Sequence, residues 1–229
     1  MKPRLLSTRL SLPLASAIAA LLATPPASAA DLYWDIDGAT AGAGGTAPSD
    51  FWTSGGTTWS TNSNGTDATA AVTTSATDDL YFSAGVNASG TYTIDLSSAQ
   101  NAKSLTFHDG NVNIGGTSGI ITLGGTGAID VANSLAGTPN SVSIGDNTDT
   151  IIAGSVGLTK LGVGTLTLNS TLVHGVTGGL NVNGGTLALN FTNLATPTNL
   201  INSGNDLNYG GGNISILSNT AGTTNPTFG

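Results

Sequence analysis

The sequence contains no cysteine, and it contains no glutamate either. Without cysteine the chain has neither disulfides nor thiolate metal ligands, so a hydrophobic core and backbone hydrogen bonds have to stabilise it. All 13 acidic residues are aspartates, which favour turns over helices. These absences argue against a helical protein and against a small disulfide-rich one.

Basic residues are scarce, with five in the whole chain. Three of them lie within the first nine residues, ahead of the uncharged apolar stretch 10–23 and the A-x-A sequence at 27–29. This order predicts a cleaved signal peptide over residues 1–29. The apolar stretch is shorter than the roughly 20 residues that a membrane-spanning helix requires. We therefore expect an exported protein that is not embedded in a membrane.

The mature part of the chain is strongly acidic. It retains two lysines, Lys103 and Lys160, against 13 aspartates. Nucleic acids and anionic lipids are bound mainly by lysine and arginine, so neither is expected as a partner. The excess negative charge fits a role in keeping an exported protein soluble.

Residues 157–189 show the pattern that organises the chain. Leu166 and Leu168 alternate with Thr165 and Thr167, and the same alternation returns around Leu187. A period of two residues is typical of a strand with one buried face. Glycines flank each run and supply turns, so the region predicts short strands separated by tight corners.

The phrases at 158–168 and 182–187 resemble the autotransporter-associated β-strand repeat. That repeat reads K-x-G-x-G-T-L-T-L, then a short linker, then V-x-x-G-T-L, and here it begins at Lys160. The resemblance implies an all-β, right-handed parallel β-helix in a protein that is secreted or held at the surface of a Gram-negative-type bacterium. Members of this family are usually far longer, so it also implies a fragment truncated at its C-terminus.

Two regions follow the signal peptide. Residues 30–79 hold all three tryptophans, Trp34, Trp52 and Trp59, and we expect an aromatic cap that closes the first coil. The alternative use of these tryptophans is a platform that stacks on sugar rings. Residues 80–229 repeat short apolar strands, which predicts the solenoid body. Strand spacing alone also allows hairpins in an antiparallel sandwich.

The residues that could perform catalysis are scattered. The available bases are Lys103, Lys160, His108 and His174, and the one acidic pair, at 78–79, alternates between faces of a strand. The aspartates at 35–37 and the glycine-rich stretch 124–130 lack the full ligand pattern of a calcium loop. We therefore predict no catalytic residue, no cofactor and no metal site.

The resulting hypothesis is a non-enzymatic adhesin or stalk segment, of the kind that forms the passenger part of an autotransporter. Its partners would be surface glycans or proteins of a host or neighbouring cell, and an open C-terminal edge would favour self-association. One alternative is a carbohydrate-binding module that uses Trp34, Trp52 and Trp59. The other is a polysaccharide-degrading β-helix enzyme.

Overall fold

The computed structural model describes residues 29–133, 137–194, 199–219 and 226–229. The predicted signal peptide, except for Ala29, lies outside the described residues. Every regular element in the described part is a β-strand, as expected for an all-β chain. The strands are Asp31–Trp34 (β1), Asp50–Trp52 (β2), Gly56–Ser60 (β3), Ala70–Val72 (β4), Asp79–Phe82 (β5), Thr91–Leu96 (β6), Gln100–Phe107 (β7), Asn111–Gly115 (β8), Ile120–Val131 (β9), Ser141–Thr148 (β10), Ile151–Gly154 (β11), Leu158–Leu161 (β12), Thr165–Ser170 (β13), Gly175–Val176 (β14), Leu180–Val182 (β15), Thr186–Asn190 (β16), Leu207–Tyr209 (β17) and Asn213–Leu217 (β18).

The strands form two sheets in which neighbours are usually not consecutive in sequence. One sheet follows the order β17-β15-β12-β9-β7-β5-β1-β3-β4, with β11 and β14 attached beside β9. The other follows β18-β16-β13-β10-β8-β6-β2. From β5 to β18 every pairing between these strands is parallel, and most partners lie about 20 to 30 residues apart in sequence. Such pairing does not fit the hairpin-based sandwich that strand spacing alone allowed.

The parallel register aligns apolar side chains from one strand to the next. In the second sheet Val112, Val142, Leu166 and Leu187 are successive partners, and all four are fully buried. Their neighbours one residue away are partly buried, as at Thr165, or exposed, as at Ser141. The predicted alternation of buried leucine and outward threonine is therefore confirmed, and the buried residues form continuous columns.

Glycines occupy the corner that precedes each strand of the second sheet from β13 onward. Gly185 has a φ of 61°, and a Cβ atom there would lie 2.2 Å from the carbonyl oxygen of Gly164. The next corner repeats this contact, because a Cβ atom on Gly212 would lie 2.5 Å from the oxygen of Gly185. Backbone hydrogen bonds connect the same corners, from the Thr186 amide to Gly164 (3.1 Å) and from the Asn213 amide to Gly185 (2.7 Å). Neighbouring corners can approach this closely only where the side chain is a hydrogen atom.

The N-terminal segment pairs differently from the rest. β1 is parallel to β5, but its other neighbour, β3, is antiparallel to it, and β4 is antiparallel to β3. The parallel order of the first sheet thus ends at β1. Trp34, Trp52 and Trp59 lie on β1, β2 and β3, respectively.

Candidate functional site

The three tryptophans lie inside the protein, where they were expected either to close the core or to bind sugar. Trp34, Trp52 and Trp59 are at most 1% exposed. Trp59 packs edge-on against Trp34 and Trp52, with ring centroids 5.3 and 5.6 Å apart, and Phe82 fills the space between them. Phe82 in turn stacks on Phe107 at 4.7 Å. The indoles thus extend the apolar column at its N-terminal end.

Hydrogen bonds hold two of the indoles in place. Nε1 of Trp34 donates to the carbonyl of Pro48 at 2.8 Å, and Nε1 of Trp52 donates to Oγ1 of Thr74 at 3.2 Å. A sugar-stacking platform requires an exposed ring face, which none of the three rings has. Their assignment as ligand-contact residues therefore has to be corrected: the rings bury their faces in the core because β1, β2 and β3 point them inward.

Lys160 is also inside the core, although the sequence pattern offered it as a candidate base. Its position on β12 aligns with Ile129 on one side and Val182 on the other, and it is fully buried. Nζ donates to the carbonyls of Leu161 (2.5 Å), Gly162 (3.0 Å) and Gly184 (3.3 Å). Burial lowers the pKa of Lys160 to about 8, and the carboxylate of Asp130 opposes that shift.

Through these hydrogen bonds the side chain of Lys160 connects two neighbouring corners of the chain. Its aliphatic stem fills the apolar column, while its ammonium group binds carbonyl oxygens of two successive corners. A buried charge of this kind needs several acceptors, and the glycine-rich corners supply them. The lysine of the G-x-G-T-L phrase thus has a structural explanation that does not involve catalysis.

The other candidate bases lie apart from one another. Lys103 forms an ion pair with Asp79 at 2.5 Å on the outside of β7, and Ser104 donates to the same carboxylate. Burial lowers the pKa of His108, whose ring lies 6.5 Å from that of Tyr81.

His174 is fully buried and remains neutral. Its Nδ1 accepts a hydrogen bond from the Ile152 amide at 2.9 Å, and its Nε2 has no partner. Burial lowers the pKa of His174 to about 3. The ring therefore acts as a fixed acceptor for a strand amide and is not available to surface chemistry.

One cleft next to polar side chains lies on the outer face of the second sheet. Phe51 alternates with buried Trp52 on β2, so it points outward and is 55% exposed. Asp95 is its partner on β6, and Gly115 follows Asp95 on β8. Gly115 adds no side chain of its own to this outer row, and Asp146 and Thr148 of β10 lie close to it.

This cleft has a volume of about 330 Å³ and is lined by Phe51, Asp95, Leu96, Ser97, Gly116 and Thr117. It combines one aromatic face, one carboxylate and two hydroxyl groups. Phe51 was not among the predicted ligand-contact residues, which were Trp34, Trp52 and Trp59. The alternation of strand faces was the signal that could have identified Phe51.

In the described part of the chain, histidine and aspartate side chains nowhere gather in a group of three or more that could hold a metal ion. Within those same ranges no helix has the length and apolar character to cross a membrane. Compared with known proteins, the chain matches no family model, no curated protein and no solved structure.

Proposed function

We propose that this chain is a non-enzymatic, exported right-handed parallel β-helix that serves as a stalk or adhesin segment at a cell surface. The observation that carries the proposal is the parallel ladder from β5 to β18, with partners about 20 to 30 residues apart. A chain that returns to the same face at each step stacks its coils along one axis. The corner glycines and the resemblance to the autotransporter-associated repeat support the same arrangement.

Such a scaffold would act by holding a binding surface rigidly and at a distance from the cell. Neighbouring strands are about 4.8 Å apart, so the seven strands of the second sheet extend about 29 Å from first to last. Threonine, serine and asparagine side chains cover the outside, and columns of leucine, isoleucine and valine fill the inside. An outer wall of this composition presents hydroxyl and amide groups to a partner protein or glycan.

The positions of the basic residues support a non-enzymatic role. Lys160 and His174 are enclosed in the core, and Lys103 is neutralised by Asp79. A polysaccharide-degrading enzyme needs a base and carboxylates around one bond of the substrate. The described residues offer no such arrangement, which favours the stalk or adhesin over the enzyme.

Display at the cell surface tests this proposal. Cells that export the chain should present it at the surface, where an antibody reaches it. Retention of the chain inside the cell would contradict it. So would release of reducing sugars from polysaccharides that disappears on substitution of Asp79 or His108.

A second candidate function is binding of a neutral glycan in the Phe51 cleft. An exposed aromatic ring can stack on the apolar face of a pyranose, while Asp95 and the hydroxyls of Ser97 and Thr117 bond its hydroxyl groups. Titration of oligosaccharides followed by NMR should shift the amides around Phe51 and Asp95. Phe51→Ala should abolish those shifts, whereas Val86→Ala, at a site 68% exposed and outside the cleft, should leave them unchanged. Equal effects of both substitutions would reject the cleft as the site.

A further inference from the structure

The last strand of each sheet leaves an edge and part of the core uncovered. β17 pairs only with β15, and β18 pairs only with β16, among the described strands. Tyr209 is 61% exposed and Ile216 is 48% exposed. Their register partners one step earlier, Val182 and Leu189, are at most 1% exposed. The same column positions are therefore buried wherever another strand follows and exposed here.

These edges carry none of the features that usually block strand pairing. Exposed edges in soluble proteins are commonly protected by charged side chains, proline or a bulge. The sequences of β17, Leu-Asn-Tyr, and of β18, Asn-Ile-Ser-Ile-Leu, contain no charge and no proline. The free amides and carbonyls of both strands are thus available to another strand.

The tail covers a different side of this end. The Gly229 amide donates to the Asn205 carbonyl at 2.9 Å, and the Thr227 amide donates to Oδ1 of Asn199 at 2.9 Å. Phe228 packs against the core. These contacts involve the loop around residues 199–205, so the described part of the tail does not pair with the free edges of β17 and β18.

Charge is distributed so that this end is the least acidic part of the protein. Of the 13 aspartates only Asp206 lies beyond residue 149, and the one lysine beyond that point, Lys160, is buried. Two chains approaching by their acidic N-terminal parts would repel each other. Two chains approaching by their β17–β18 ends would bring few charges together.

We propose that the β17–β18 end is a docking surface for the same end of a second copy of this chain. A two-fold axis would place the free strands of the two copies antiparallel and in hydrogen-bonding contact, and would cover Tyr209 and Ile216 in both. This contact closes on itself, so it yields dimers and not growing fibres. It rests on the open edges and the charge distribution, and it holds whether or not the chain is a surface stalk.

The test is sedimentation velocity on the exported form of the full chain, collected after expression with its own leader, over about 1 to 100 µM. The wild-type chain should pass from monomer to dimer in this range. Ile216→Lys places a charge on the contact and should raise the dissociation constant about tenfold or more. Val163→Lys, at a site 57% exposed outside β17 and β18, is the matched control and should dimerise like the wild type.

Ile216 is already half exposed, so the lysine variant should keep the wild-type circular dichroism spectrum and melting temperature within a few degrees. Ile216→Pro provides a second test of strand pairing, because residues 213, 215 and 217 point their backbone groups toward β16 and the Ile216 amide points to the free edge. A wild-type chain that stays monomeric at the highest concentration overturns the proposal. Equal loss of dimer in Val163→Lys would place the contact on another face, and open-ended polymers would exclude the two-fold arrangement.

Discussion

Gly185→Ala should destabilise the protein far more than the same substitution at Gly55. Both glycines have positive φ, 61° and 71° respectively, so both substitutions carry the conformational cost of a left-handed alanine, about 1 to 2 kcal/mol. A Cβ atom on Gly55 would meet nothing within 4 Å. On Gly185 it would lie 2.2 Å from the Gly164 oxygen and 2.5 Å from the Gly162 oxygen. Gly55 is therefore a matched control that isolates the contact between corners.

The additional cost at Gly185 follows from that overlap. To make room, the two corners must separate, which strains packing by about 1 to 3 kcal/mol. Separation also breaks the hydrogen bond from the Thr186 amide to Gly164, with a further loss of about 1 kcal/mol. Gly185→Ala should therefore cost about 3 to 6 kcal/mol in total, against about 1 to 2 kcal/mol for Gly55→Ala. In a chain of this size the first should lower the melting temperature by roughly 6 to 24 °C and the second by roughly 2 to 8 °C.

Urea unfolding followed by circular dichroism measures both free energies under the same conditions. Similar losses in the two variants would mean that neighbouring corners do not approach each other at Gly185. That result would refute the stacking of corners on which the proposed β-helix depends. Gly212→Ala offers a repeat of the test one corner later, where the Cβ atom would lie 2.5 Å from the Gly185 oxygen.

Three further predictions concern the buried polar and aromatic side chains. Because the pKa of Lys160 falls from 10.5 to about 8 on folding, the unfolded chain binds more protons between these values, so stability should rise from pH 8 to 10.5. Urea midpoints should show this rise in the wild type and not in Lys160→Met; a rise that persists in the variant would contradict it. The pKa of His174 falls from 6.5 to about 3, so its contribution to stability is lost as pH drops through that window. His174→Asn, which keeps an acceptor for the Ile152 amide, should therefore lose less stability than the wild type between pH 6.5 and 3; identical pH profiles would argue against a buried neutral ring. Acrylamide should quench Trp34, Trp52 and Trp59 much less in the folded chain than in guanidinium; equal quenching in both states would mean that the indoles are exposed.

The local pattern predicted individual strands well. Alternation around Leu166 and Leu187 identified β13 and β16 and the face that each one buries, because a strand repeats every two residues whatever its partner. The glycines of the same phrases correctly marked the corners. Periodicity could not identify the partner of each strand, since short apolar runs fit a hairpin as well as a parallel ladder.

The candidate site was less predictable than the strands. The sequence predicted no catalytic residue and favoured a core cap for Trp34, Trp52 and Trp59, with sugar binding as the alternative. The structure buries the three tryptophans and also Lys160, one of the available bases. Composition does not tell on which side of a strand a side chain lies when the strand is three or four residues long. Phe51 was overlooked for the same reason, although it is the aromatic residue that borders the open cleft.

The sequence by itself determined the class of this protein: aspartate without glutamate, abundant glycine and two-residue periodicity leave little other than short strands and tight turns. Only the tertiary structure decided which strands pair, and therefore that Lys160 binds the carbonyls of two corners and that Tyr209 and Ile216 lie uncovered at one end. The physical reason is that local preference acts over a few residues, whereas pairing joins segments some 20 to 30 residues apart. Burial and charge environment are set by those distant neighbours.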